Sequence, residues 1–112
     1  MRIFRNKAFT RFAKKAGLDD AVLCKAIRDA ERGLIAADLG GGVIKQRIAR
    51  PGQGKSGGFR TLIILKAGVC AFLVYGFAKN EKDNIGKDDL AALKILASEL
   101  LAYMKTKRSL AR

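Results

Sequence analysis

The apolar and polar positions of this chain follow two periods, and the changes from one to the other mark out its elements. Met1 to Arg5 alternates as a short strand, with Ile3 opposed to Arg2 and Phe4. After Asn6, a capping residue type, Phe9, Phe12, Ala13 and Ala16 recur at three and four residues, and Gly17 supplies a left-handed stop. A second helix is predicted from a cap at Asp19, through a stripe of Val22, Leu23, Ala26, Ile27 and Ala30, to a terminator at Gly33. Leu34 to Leu39 has no decisive pattern, and the glycines at 40 to 42 read as a flexible connection into a sheet. Three strands follow, roughly Val43 to Ala49, Phe59 to Leu65 and Val69 to Phe77. The connection Lys66-Ala67-Gly68 is short enough for a hairpin, so the last two strands are expected to be antiparallel. A polar patch, KNEKDNIGKDD, precedes a closing helix from about Lys87 to Lys107, striped by Leu90, Leu93, Ala97, Leu100, Leu101 and Met104. Asp88 and Asp89 near its start complement the helix dipole. Helices, then strands, then a helix predict an α+β fold.

At 112 residues and 49% apolar composition the chain is expected to form one small domain, spanning residues 1–112, around a modest core. Its longest apolar run, Val69 to Ala78, is too short for a bilayer and is rich in β-branched and aromatic residues, so it is expected to be a buried strand. The basic N-terminus lacks an apolar core followed by a cleavage site, and no signal peptide is expected. Cys24 and Cys70 sit inside apolar patterns without CxxC spacing, and the chain has no histidine. They read as reduced core residues of a cytosolic protein, and no zinc site is expected.

Charge changes the picture most. The formal net charge of +13 and pI near 10.3 point to an anionic partner. Between Leu39 and Asn80 there are seven Lys or Arg and no Asp or Glu, while the acids collect between Asp19 and Asp38 and between Glu81 and Glu99. Within that strip, KQRIARPGQGKSGGFR (Lys45 to Arg60) carries five cations around a glycine-rich loop between two strand-like runs. Lys45 and Arg47, two apart, project from one strand face while Ile44 and Ile48 turn to the other. If the two runs pair, Arg60 joins them on one surface, with Lys55 above in the loop, and a polyanion would bind there. The basic positions of the first helix, Arg11, Lys14 and Lys15, read as solvated surface that extends the positive field.

Gly54-Lys55-Ser56 looks like the end of the nucleotide-binding pattern GxxxxGK[ST]. However, Ala49 stands where the first glycine belongs, and Ser56 leads into a strand instead of a helix N-terminus, so the phosphate cradle is missing. The bland alternative is a long solvated hairpin turn.

The motifs GGGVIKQRIA, GKSGGFR and YGFAKNEKDNI, in that order and followed by a C-terminal helix, resemble the RelE/HigB-type toxins of bacterial toxin–antitoxin pairs. They cover about Gly40 to Ile85. The resemblance implies a small RelE-like fold, a largely antiparallel twisted sheet with two N-terminal helices and one C-terminal helix. It also implies a cytoplasmic, ribosome-dependent mRNA endonuclease that inhibits translation, needs no cofactor and is neutralised by a cognate antitoxin. Residue by residue, Arg60 matches the motif arginine, Lys55 the loop lysine and Lys79 the basic residue before Asn80-Glu81, which together form the catalytic set. Lys45, Arg47 and Arg50 are the RNA-binding candidates. The aromatic residue that positions substrate near the C-terminus of RelE relatives has one candidate here, Tyr103, which helix spacing sets beside Met104, and the role is not carried over.

The chemistry agrees with such an enzyme. Cleaving RNA through its own 2′-hydroxyl needs a base for that hydroxyl, an acid for the leaving 5′-oxygen, and stabilisation of charge on the phosphorus. A lysine among other cations has its charged form disfavoured, so Lys55 or Lys79 can serve as base or acid, while Arg60 stays charged and suits the phosphate. Arg60 is expected to be partly exposed. Glu81 is a nearby carboxylate that can act as base or order the turn into the last helix. Two other readings share the same basic hairpin. One is a non-catalytic nucleic-acid-binding module, and the other is a ParE-like toxin acting on a topoisomerase.

Overall fold

The computed structural model describes residues 1–49, 58–79 and 85–110, with side chains placed through Met104. Its elements run β1 (Arg2–Arg5), α1 (Lys7–Ala16), α2 (Asp20–Glu31), β2 (Ala37–Gly40), β3 (Val43–Ile48), β4 (Phe59–Lys66), β5 (Cys70–Ala78) and α3 (Lys87–Leu110). The fold is α+β: three helices on a five-stranded sheet of order β1-β5-β4-β3-β2. Only the β1–β5 pairing is parallel among the described strands.

The two leading helices start where their caps stand. Asn6 accepts a hydrogen bond from Phe9 N–H (2.7 Å), and Asp19 from Val22 N–H (3.0 Å). Asn6 also donates through Nδ2 to Val74 O (3.1 Å), which ties the start of α1 to β5. α1 then packs along β5 through Phe12, whose ring meets Phe59 edge-on at 5.6 Å and lies directly over Gly76. A Cβ at position 76 would fall 2.3 Å from the Phe12 ring, so glycine is what allows helix and sheet to approach.

The segment Leu34 to Leu39, without a decisive pattern in the sequence, supplies the edge strand β2. The three glycines that follow make the connection into β3. Gly40 closes β2, and Gly40, Gly41 and Gly42 form a tight turn into β3 with φ of 86°, 63° and 86°, a backbone that side chains rarely adopt. The turn is pinned by Asp38, which accepts from Gly40 N–H (2.9 Å), and by Gly42 O, which accepts from Leu65 N–H (2.9 Å).

The sheet has a core on each face. One is formed by α1 and α2 against Ile44, Ile48, Phe59, Ile63, Ala71 and Leu73. On the other, α3 contributes Leu90, Leu93, Ala97, Leu100 and Leu101 against Val43, Leu62, Ile64 and Val74. The stretch Cys70 to Ala78 is the buried strand that its composition predicts. Cys70 is fully buried and free, whereas Cys24 is free but half-buried, a departure from the expectation of two core cysteines. Among the described residues no helix is long and apolar enough to cross a membrane.

Candidate nucleic-acid interface

β3 and β4 pair antiparallel in a register that sets Lys45 opposite Leu62, Gln46 opposite Thr61, Arg47 opposite Arg60 and Ile48 opposite Phe59. Directly opposed residues share a face, and alternate residues return to it. Lys45, Arg47 and Arg60 therefore lie on one face, the one that carries α3. Ile44 and Ile48 lie on the other, against α1 and α2. α3 covers the Val43–Leu62–Ile64 end of this face. The cations occupy the end toward Ile48 and Phe59, with Arg47 exposed and Lys45 half-buried one pair deeper.

β5 brings in the fourth cation. Ala78 pairs with Phe59, and the next residue, Lys79, is exposed and donates its N–H to Gly58 O (3.1 Å). Lys79 is thus fixed at the same end of the sheet as Arg60. Among the described residues Lys45, Arg47 and Lys79 enter no ion pair. Arg50, Lys55, Asn80 and Glu81 lie outside the described residues.

Arg60 differs from its expectation. It is 6% exposed, not partly open, and its Nη1 donates to Phe59 O (3.2 Å). The reason is its place in the sheet: β4 is the middle strand, so Arg60 is flanked by Arg47 on β3 and Phe77 on β5. A guanidinium suits such a site because it stays charged when desolvated and presents its donors in a fixed plane.

Polar groups on the opposite face hold this end of the sheet. Gln46, 5% exposed, donates through Nε2 to Ala26 O (3.0 Å) and Leu34 O (2.8 Å), and its Oε1 accepts from Arg47 N–H (3.1 Å). Thr61 Oγ1 donates to Gln46 O (3.3 Å). The buried amide therefore locks β3 to the middle of α2 and to the segment that follows it, at the step from which Arg47 projects. Gln46 and Thr61 are absent from the sequence-derived candidates. Their signal was a polar residue at an inward-facing strand position, at Gln46 between Ile44 and Ile48. Tyr75 and Phe77 also belong to this neighbourhood, with Phe77 the partner of Arg60 and the two rings 5.8 Å apart. Tyr103 is exposed on α3, and the adjacent Met104 is buried.

These features define a small α+β protein with a cationic row across three strands at one end of its sheet, suited to phosphate groups. The profile described as "RelE toxin of RelE / RelB toxin-antitoxin system" matches residues 1–111, and the chain belongs to this family of toxins. A search of the curated proteins returned no match. Membership implies an antitoxin as partner.

Proposed function

We propose that this chain is a ribosome-dependent mRNA endonuclease that arrests translation in the cytoplasm and is silenced by its cognate antitoxin. The observation that carries the reading is the Arg47–Arg60 pair, two arginines in register across β3 and β4 on one face of the sheet, with Lys45 and Lys79 at the same sheet end. A backbone phosphate against that pair meets planar donors that stay charged when water is excluded.

In the reaction the 2′-hydroxyl loses its proton to a base and attacks the adjacent phosphorus. The bond from phosphorus to the 5′-oxygen breaks, and that oxygen takes a proton from an acid, leaving a 2′,3′-cyclic phosphate and a 5′-hydroxyl end. Arg60 and Arg47 stabilise the charge that builds on the phosphoryl oxygens. With no histidine in the chain, the proton transfers fall to Lys55 and Lys79. So sparse a set of proton-transfer groups fits an enzyme whose substrate is aligned by the ribosome, since alignment alone is worth several orders of magnitude in rate.

Primer extension on a translated mRNA, with and without the protein, tests the reading. Discrete cuts that require both ribosomes and the protein are expected. Binding without cuts would instead make the chain a nucleic-acid-binding module.

A further inference from the structure

β3 has a strand on its outer side over only part of its length. Ala37 pairs with Lys45, and Ala36 N–H donates to Lys45 O (2.9 Å), so the main-chain groups of Lys45 point toward β2. Main-chain groups alternate in direction along a strand, and those of Arg47, two residues on, point the same way. Continued by two residues, the same register would bring Ile35 opposite Arg47. However, β2 begins at Ala37, and Ile35 N–H turns back to Gly33 O (3.1 Å), where a left-handed Gly33 (φ 83°) leads the chain out of α2. Among the described residues no strand pairs with Arg47 on that side.

The Gln46 side chain takes the place of that missing partner. Its Oε1 accepts from Arg47 N–H (3.1 Å), and its Nε2 donates to Ala26 O in α2 (3.0 Å) and to Leu34 O (2.8 Å). A primary amide has two N–H donors, and both are used here. The partners also fix which way round the amide sits, since a reversed amide would set its oxygen against two carbonyl oxygens and its NH2 against an N–H. From the β4 side Thr61 Oγ1 donates to Gln46 O (3.3 Å), so Gln46 is held on both sides of the strand. With the residue 5% exposed, little water competes for these bonds.

We infer that Gln46 is a positioning residue for the cationic row. Its amide stands in for a strand at the step of β3 where β2 has ended, and so holds the Arg47 backbone in register with Arg60 on the α3 face. Gln46 itself lies on the face of α1 and α2, away from the phosphate, and acts through Arg47. The inference rests on the cleavage reading of that row and adds to it a residue from the opposite side of the sheet. Without the amide, Ala26 O, Leu34 O and Arg47 N–H lose their shared partner, and the end of β3 that carries Arg47 is free to shift. A misplacement of about 1 Å in a group that aligns the reacting centre costs up to about 10²-fold in rate.

The experiment is a double-mutant cycle on the full chain, read as the initial rate of ribosome-dependent cleavage by primer extension, for the parent, Gln46→Met, Arg47→Ala and the double variant. Gln46→Met keeps the length and bulk of the side chain and removes both donors. Cleavage should fall about tenfold from parent to Gln46→Met, and less than about twofold from Arg47→Ala to the double variant, because the residue that Gln46 positions is already gone. Asn6→Ala, which removes the α1 cap near the other edge of the sheet, is the stability control: it should lower the urea midpoint and leave cleavage unchanged. By NMR the Arg47 amide of the parent should exchange slowly although no strand pairs with it, and Gln46→Met should release it. A fast-exchanging Arg47 amide in the parent, an equal loss of cleavage in both backgrounds, or full activity of Gln46→Met overturns the inference alone. If the parent makes no ribosome-dependent cuts, the cleavage reading falls instead. The same cycle is then read on binding of a single-stranded oligoribonucleotide, where a loss confined to the parent background upholds the role of Gln46 and an equal loss in both overturns it.

Discussion

Replacing Arg60 tests the proposed site most directly, and its burial makes the outcome calculable on two axes. Arg60→Ala removes two buried methylene groups beyond Cβ, at about 0.8 kcal/mol each, and the hydrogen bond to Phe59 O, at about 1 kcal/mol, for a loss near 2.5 kcal/mol. A chain of this length has a total stability of about 6–15 kcal/mol, so the variant stays folded at 25 °C with a lowered urea midpoint. The effect on cleavage is larger. A preorganised donor aimed at developing oxyanion charge is worth about 10²–10³ in rate, so Arg60→Ala should cut ribosome-dependent cleavage by that factor and abolish growth inhibition. Arg60→Lys retains the charge without the planar fork and should fall between parent and alanine variant. Urea unfolding and initial cleavage rates by primer extension give the two quantities on the same preparations. Cleavage by folded Arg60→Ala within about tenfold of the parent would refute the role of Arg60 in phosphate stabilisation.

Lys79→Ala and Lys55→Ala should each reduce cleavage, whereas Lys14→Ala on the exposed side of α1 should be nearly silent in the same assay. Association with ribosomes or RNA should weaken with salt, each phosphate contact adding a log–log slope of roughly 0.7 on a single strand, and a flat titration would exclude an electrostatic footprint. Gly76→Ala should lower stability by about 1–3 kcal/mol in urea unfolding, because its Cβ would fall 2.3 Å from the Phe12 ring and α1 or the ring must move. Desolvation raises the Cys70 thiol above its ordinary value of 9.0, so the folded state keeps a proton that the unfolded chain has lost. Stability should therefore decline as pH rises beyond about 9, and Cys70→Ala, compared by urea unfolding at pH 7 and pH 10, should remove that part of the decline.

Local pattern alone specified a large part of this molecule. Asn6 and Asp19 cap the helices they precede, because a short acceptor side chain before an apolar stripe satisfies the first free N–H groups wherever the helix is placed. The two-residue alternation that put Lys45 and Arg47 opposite Ile44 and Ile48 is equally local, and the β3–β4 register keeps it. The family resemblance was legible from three motifs in order, and the profile match extends it to residues 1–111.

What the sequence left open depends on contacts between segments far apart along the chain. No local signal makes β1 a parallel partner of β5, since that pairing joins residues far apart along the chain, Arg2 to Cys70 and Arg5 to Leu73. In β5 the register shifts opposite Leu62 and Ile63, so Phe72 and Tyr75 both pack on the α3 side, and simple alternation would have assigned them to different faces. Arg60 reads as exposed from its own residue type, yet it is buried because β4 became the central strand with Arg47 and Phe77 on either side. The polar lock through Gln46 likewise exists only once α2 and the Leu34 carbonyl arrive beneath β3. Periodicity fixes which way a side chain points, and neighbouring elements decide what it meets there.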